Sequence, residues 1–478
     1  MRTHRLLVLM PVSVVMLCFG VLTAQGISFG MPGAAKNKAR ELKDNRDRET
    51  IQRIPSLGTK STTAGKGSKV RFVCEPGPGP AVAGYEWMAS GGEFVGPAGA
   101  VATWVAPDVP GVYTITCRIT DISGKVFQRS TTIPVRDPGT VKWTYAGNVR
   151  GCPAIAEDGT IYFCDTGGAL HSVNPDGTAN WVHPGAGAGP VIGEDGMIYT
   201  AGGTNVHAFT SAGLAWTVEV GFVSAIPIID DVRHTLYLDN AAAIDLDNRT
   251  MKWSVAGTIL PTTIGPDGTV YGTFTTNHIN YLRAINPDGS LKWNSTATSY
   301  VGVEYFAAST VSVYFIHQEW GSRGPTRKVR AADGGVEWGN MYANGTSVVV
   351  TSEELIIGGL DSIYTVSADG YVVHVATDIV LNAYNFILGN DNTLYCTAYN
   401  RINAISMSEW RVDWDSVIVF TAQSYSPKHP TLADDGTLYV PTSNGLLHAI
   451  QATGSLAKDA VWPKWRRDLR NTGCATTR

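Results

Sequence analysis

Histidine, aspartate and cysteine are the side chains in this sequence whose types and spacing could do chemistry. His171, His207 and His448 each stand second in a short apolar string, LHSV, VHAF and LHAI, and imidazole is the commonest metal ligand and proton carrier near neutral pH. Asp-Gly or Asp-Gly-like pairs recur at Asp158, Asp195, Asp267 and Asp435, where clustered carboxylates could hold calcium. The chain has 7 cysteines, no two adjacent. It has no G-x-S-x-G, no H-E-x-x-H and no phosphate-binding glycine loop, so the usual sequence marks of a serine hydrolase, a zinc protease or a nucleotide-binding enzyme are missing. The histidines occupy one position of a repeated unit, so they fall in different units instead of converging. Each Asp-Gly pair sits between two alternating apolar segments, where a turn needs Asp and a positive-φ glycine. We therefore expect no catalytic residue and no metal site.

The elements that place these residues are internal repeats. DGTIY at 158–162 returns as DGMIY at 195–199, HTLY at 234–237, DGTVY at 267–271, VSVY at 311–314, NTLY at 392–395 and DGTLY at 435–439, with 355–357 as a degenerate copy. A second string follows each, as in LHSVNPDG, LRAINPDG and LHAIQATG. A tryptophan then closes the unit at Trp181, Trp216, Trp253, Trp293, Trp338 and Trp414, with an early one at Trp143. Short alternating segments with four strands in every ~40 residues describe a propeller blade, and the count gives eight. The outer strand around 140–145 precedes the first blade, while the last triplet spans 430–450. The simplest closure pairs the two, with the C-terminal tail around Trp462 as the alternative. That closure removes sheet edges that a linear array would leave bare. The tryptophans are expected to pack blade against blade. The stretch QEWGSRGPT at 318–326 reads as a rim insertion and possible recognition loop carrying Glu319, Trp320 and Arg323.

G-x-x-x-W after an A-[IV]-N-P-D-G string is similar to the repeat of the pyrroloquinoline quinone (PQQ) type β-propellers, over 138–461. WPKWRRDLRNTG, 462–473, resembles a segment that accompanies such propellers in exported bacterial proteins. The resemblance implies architecture more than cofactor. Quinoprotein dehydrogenases of the family bind PQQ and calcium, with an Asp base, a Glu and an Asn at the metal and a disulfide of adjacent cysteines. Other members, including the outer-membrane assembly lipoprotein of the β-barrel machinery, have no cofactor. This chain lacks the adjacent cysteines.

Ahead of the repeats the chain reads as three segments. Residues 1–26, with Arg2, His4 and Arg5 before an apolar run from Leu6 to Leu22, are expected to be an export signal; if uncleaved, this run would be the only membrane contact. Residues 27–68 carry mixed charge and little aromatic content, and read as a flexible linker. Residues 69–137 alternate as half-buried strands, with Cys74 and Cys117 on inward positions bracketing Trp87. That is how a sandwich bridges its sheets over one tryptophan, and VAPDVPGVYTITCRITD, 105–121, resembles the bacterial Ig-like and PKD-type modules. Export favours a Cys74–Cys117 bond. In the first repeat the turn centres on Asp158, which sets Cys152 opposite Cys164 unless a bulge intervenes. Such a pair would lie about 4.5 Å apart at Cα.

Composition narrows the class further. In 478 residues there are 52 glycines, about 11% against a usual ~7%, and 16% charged residues against ~25%. A net charge of −4 disfavours nucleic acid as partner, since phosphate neutralisation needs clustered Lys and Arg. The fold expected is all-β: an eight-bladed β-propeller preceded by a small Ig-like β-sandwich, with a tail over 462–478. The function expected is a non-catalytic exported binding or scaffold protein, periplasmic, cell-surface or extracellular. Its partner would be a protein or an envelope polysaccharide, with no cofactor. A PQQ- and calcium-dependent oxidoreductase is the alternative.

Overall fold

The computed structural model describes residues 56–59, 64–96, 99–255, 259–276, 279–299, 302–319, 322–344, 347–351, 354–358, 362–377, 383–398, 401–417, 429–461, 463–464 and 466–472. These residues form strands and turns with no helix, so none contributes a helix long and apolar enough to cross a membrane. The expected export signal lies outside them, as does most of the expected linker.

Two four-stranded sheets come first. One orders Ser56–Gly58, Lys69–Glu75, Val101–Val105 and Glu93–Val95; the other orders Ala64–Gly65, Val126–Arg136, Gly111–Asp121 and Val82–Ala89. Strict alternation drives their meeting. In Lys69–Glu75 the side chains of Val70, Phe72 and Cys74 are buried and their neighbours exposed; Val70 and Phe72 join Trp104, Ile115 and Ile133 in one core, and Cys74 joins Cys117 and Ile119 in a second cluster. Strand pairing starts ahead of Lys69, which shortens the expected linker. Leu57 packs on this core, and Ala64–Gly65 adds a parallel pairing to Val135 and Arg136.

Eight further sheets follow among the described residues, and they assemble as a β-propeller. The first orders Val149–Ile155, Ile161–Asp165, Leu170–Val173 and Ala179–His183. The next six span 188–223, 228–254, 259–299, 302–344, 347–377 and 383–417, each an antiparallel meander. In the last sheet Thr431–Leu432, Thr437–Pro441 and Leu446–Gln451 take Val141–Ala146 as their outer strand, with Trp143 opposite Ala449. The chain's early strand thus closes its final sheet. The first strands of successive sheets pack beside one another around an axis, and clusters of Ile, Val, Leu and Tyr fill each gap between sheets.

Two sheets depart from the pattern. In the fifth, Ser312–Glu319 and Ser322–Arg330 pair as far as Glu319 opposite Ser322. The expected recognition loop is therefore a hairpin end; Glu319 and Arg323 are strand residues, and Trp320 lies outside the described residues. In the sixth, His374 stands where the other sheets carry tryptophan, stacked on Trp410 at 4.5 Å. Its outer strand, Val372–Thr377, leaves Val373 and Val375 exposed, and Tyr371 just ahead of it is exposed too.

Candidate functional site

In four of the propeller sheets an amide at or near the end of the strand that lines the axis donates to the C-terminal segment and not to its own sheet. Buried backbone donors must be satisfied, and here the C-terminal segment does it. Ile155, Ile192 and Ile229, one repeat apart in three neighbouring sheets, donate to the carbonyls of Leu469, Arg470 and Thr472 at 2.8, 3.0 and 3.2 Å. Leu388 in the seventh sheet donates to Pro463 at 2.9 Å. The segment expected to be a tail is thus laid across one end of the axis, over the seam where the propeller closes.

Its side chains follow the backbone inward. Lys464 and Asn471 are 1% exposed and Arg466 is 7% exposed. The Lys464 ammonium donates to the Asp468 carbonyl and to Asn471 Oδ1, both at 2.9 Å. Asn471 Nδ2 donates to the Cys152 carbonyl at 3.1 Å. Arg466 donates to the Pro227 and Ile226 carbonyls at 2.5 and 2.9 Å, and Arg470 pairs with Asp231 at 3.0 Å. Asp468 closes the turn by accepting from the amide and hydroxyl of Thr472. Arg466, Arg467 and Asn471 adopt positive φ, a conformation of order 1 kcal/mol unfavourable for each non-glycine residue, so these contacts hold a strained path.

Burial sets the local electrostatics. It lowers Arg466 to about 10 and lowers Lys464 as well. His429, beside both cations, is held near 3 by burial and then by their charge. The Cys164 thiol is pushed up to about 12 by burial and is inert as a nucleophile at neutral pH.

The residues singled out in the sequence are distributed as follows. His171 stacks on Phe163 at 4.8 Å. His207 meets Thr217, and His448 meets Thr144, each at 3.0 Å within its own sheet. Asp158, Asp195, Asp267 and Asp435 each accept a hydrogen bond from the backbone amide two residues on, at 2.9 Å, before or within turns whose glycines have positive φ. Trp143, Trp181, Trp216, Trp253, Trp293, Trp338 and Trp414 each lie on the tyrosine of their own sheet's second strand, with centroids 5.7–6.3 Å apart. Five of these indoles, those of Trp143, Trp181, Trp253, Trp293 and Trp338, donate to a carbonyl of the next sheet.

Cys74 and Cys117 are buried in one cluster with Trp87, their side chains in hydrogen-bond contact as free thiols. Cys152 and Cys164 do not face each other, which corrects the expected register. A bulge falls between Arg150 and Ala154, leaving Cys164 opposite Arg150; Gly151, at φ +80, turns the chain there. Cys152 Sγ instead meets Thr431 Oγ1 at 3.1 Å. Lys464, Arg466 and Asn471 had no individual place in the sequence reading. The signal available was Trp, Lys, Arg and Asn packed into one short stretch directly after the last repeat.

No family model matches the chain, and no curated protein does. Among solved structures it is similar to BamB from Moraxella catarrhalis, at 11% identity and TM-score 0.49, covering 65% of this chain and 99% of that one. It is also similar to BBS1N in complex with ARL6DN: for the mercury-soaked crystal at 10% identity and TM-score 0.41, over 67% and 99% of the two chains, and for the lead-soaked crystal at 11% and 0.41, over 66% and 98%.

Proposed function

We propose that this chain is a non-catalytic, exported binding or scaffold protein of a bacterial envelope or exterior, with an eight-bladed propeller of the PQQ-like type as its interaction platform. The two sheets ahead of the propeller are an Ig-like spacer whose Cys74–Cys117 pair is oxidised after export. The observation that carries this reading is the placement of 463–472: the chain spends its own carbonyls and its buried Lys464, Arg466 and Asn471 on one end of the axis. A propeller whose axial end is occupied in this way offers its rim and outer edges to partners. The exposed Tyr371, Val373 and Val375 belong to such an edge.

PQQ and calcium fit poorly. Among the described residues no three His, Cys, Asp or Glu side chains group in a way that could hold an ion. The cationic groups Lys464 and Arg466 occupy the axial end instead. Incubating the purified protein with PQQ and calcium, followed by absorbance and a dye-linked alcohol or sugar assay, is expected to give no retained chromophore and no dye reduction. Stoichiometric chromophore retention with turnover would establish the oxidoreductase. Crosslinking in envelope extracts, comparing the native protein with Val373→Asp, names the partner if the edge of the sixth sheet engages one.

A further inference from the structure

In the eighth propeller sheet the third and outer strands, Leu446–Gln451 and Val141–Ala146, pair without being consecutive in the chain. Where a tight turn joins these two strands, two backbone bonds define it. Asn174 donates to the Thr178 carbonyl and Gly177 to the Asn174 carbonyl in the first sheet; Asn286, Ser290 and Gly289 repeat the pair in the fourth, and Ser367, Tyr371 and Gly370 in the sixth, all at 2.8–2.9 Å. At the closure the same two bonds form across the break in the chain. Gln451 donates to the Thr140 carbonyl at 2.9 Å, and Gly139 to the Gln451 carbonyl at 2.8 Å. Gly139 also has the geometry of a turn glycine. It stands two residues ahead of its outer strand at φ +81, as Gly177, Gly289 and Gly370 do at +87 to +90. A Cβ at any of the four would meet the ring of the preceding sheet's tryptophan at 2.6–2.9 Å, Trp414 in the case of Gly139.

We propose that this split turn is a rigid joint, which holds the two-sheet module ahead of the propeller at one fixed orientation to it. Only residues 137–140 separate the strand Val126–Arg136 from Val141–Ala146, and they have little freedom left. Gly139 and Thr140 belong to the turn. The Asp137 carbonyl accepts from the Thr140 hydroxyl at 2.7 Å, its carboxylate pairs with Lys66, and Pro138 has a fixed φ. The module braces the turn from the other side. Ala64–Gly65 pairs with Val135 and Arg136, and Gly65 runs so close to the last sheet that a Cβ there would meet the Ala452 carbonyl at 2.8 Å. Gln451, the residue at the break, is fully buried, and its side chain donates to the Gly436 and Ala452 carbonyls. Domains on a free linker move relative to one another by default; here a hydrogen-bonded turn takes the linker's place. The joint gives the proposed spacer a direction as well as a length, so a ligand held between module and rim would meet both at a constant angle.

The test is a distance, measured by pulsed electron paramagnetic resonance between spin labels at Val126→Cys and Leu291→Cys, exposed positions of the module and of the fourth propeller sheet. The labels go on the full chain with Cys18→Ser and Cys474→Ser, since the other five cysteines are buried. One narrow distance is expected. Inserting Gly-Ser-Gly-Ser between Asp137 and Pro138 leaves both turn bonds in place and should broaden the distribution severalfold, as a flexible tether does, while the melting temperature stays close to the parent's. A parent distribution as broad as that of the insertion variant would overturn the proposal. So would a narrow one in both, which would put the hold in the Gly65 contact alone. These distances report on the joint whether or not an envelope partner is found.

Discussion

His429 carries the clearest consequence of the buried cations. Its folded pKa near 3 lies well below the unfolded value of 6.5, so between those values the unfolded chain binds a proton that the folded chain refuses. Stability therefore falls as pH drops through about 6.5, by roughly 1 kcal/mol at pH 5.5. Urea melts at pH 7.5 and 5.5 should show this loss, and His429→Gln should remove most of it; an unchanged slope would mean that another group titrates. The sulfur pair makes a separate statement. Cys74 and Cys117 are already in contact, so an oxidising compartment is expected to join them, closing a loop of about forty residues and adding about 4 kcal/mol in the chain-entropy account. Burial raises both thiols and would shield them even if reduced. The decisive measurement is alkylation after unfolding without reductant followed by peptide mapping, in which label on both Cys74 and Cys117 would contradict the bond.

The strands answer to different tests. Trp293 is 7% exposed, lies 5.7 Å from Tyr271 and donates to Ala331 across the gap between sheets. Trp293→Ala should cost about 3–5 kcal/mol, measured by denaturant melts, whereas a change at exposed Val373 should cost little. Val141–Ala146 supplies the outer edge of the last sheet. A chain beginning at Val149 should therefore unfold without cooperativity or aggregate through its bare edge, while one beginning at Arg136 melts cooperatively; equal melts would deny that strand its role. These features were legible because they repeat: the Tyr, the turn and the Trp recur at matching positions, so each copy supports the reading of the others. What occurs once was harder to read. The stretch 318–326 reads as a loop in the sequence, yet pairing with Ser312–Glu319 carries the strand Ser322–Arg330 through Gly324 and Pro325. The Cys152 register depended on one glycine at φ +80, and a bulge leaves no periodic mark. The segment 463–472 bonds to backbone groups, whose positions follow from the closed ring and from no residue type.

Across the whole molecule, the C-terminal segment ties the seventh sheet to the first three. Ending the chain after Val461 should expose the amides of Ile155, Ile192, Ile229 and Leu388, and their hydrogen exchange should accelerate to the rate of surface amides as the melting temperature falls. Unchanged exchange at these four positions would show that the segment is ornamental. The same geometry dictates an order of events during synthesis. Trp143 emerges some three hundred residues before Ala449, its partner across the closing sheet, and the last clasp, Thr472 on Ile229, comes later still. Contacts so distant along the chain form slowly. Until residues 446–451 have been made this protein cannot seal its ring, so the growing chain stays open while its first seven propeller sheets are synthesised. Under the proposed export, a secretion machine that threads unfolded polypeptide would meet this open chain before the ring locks.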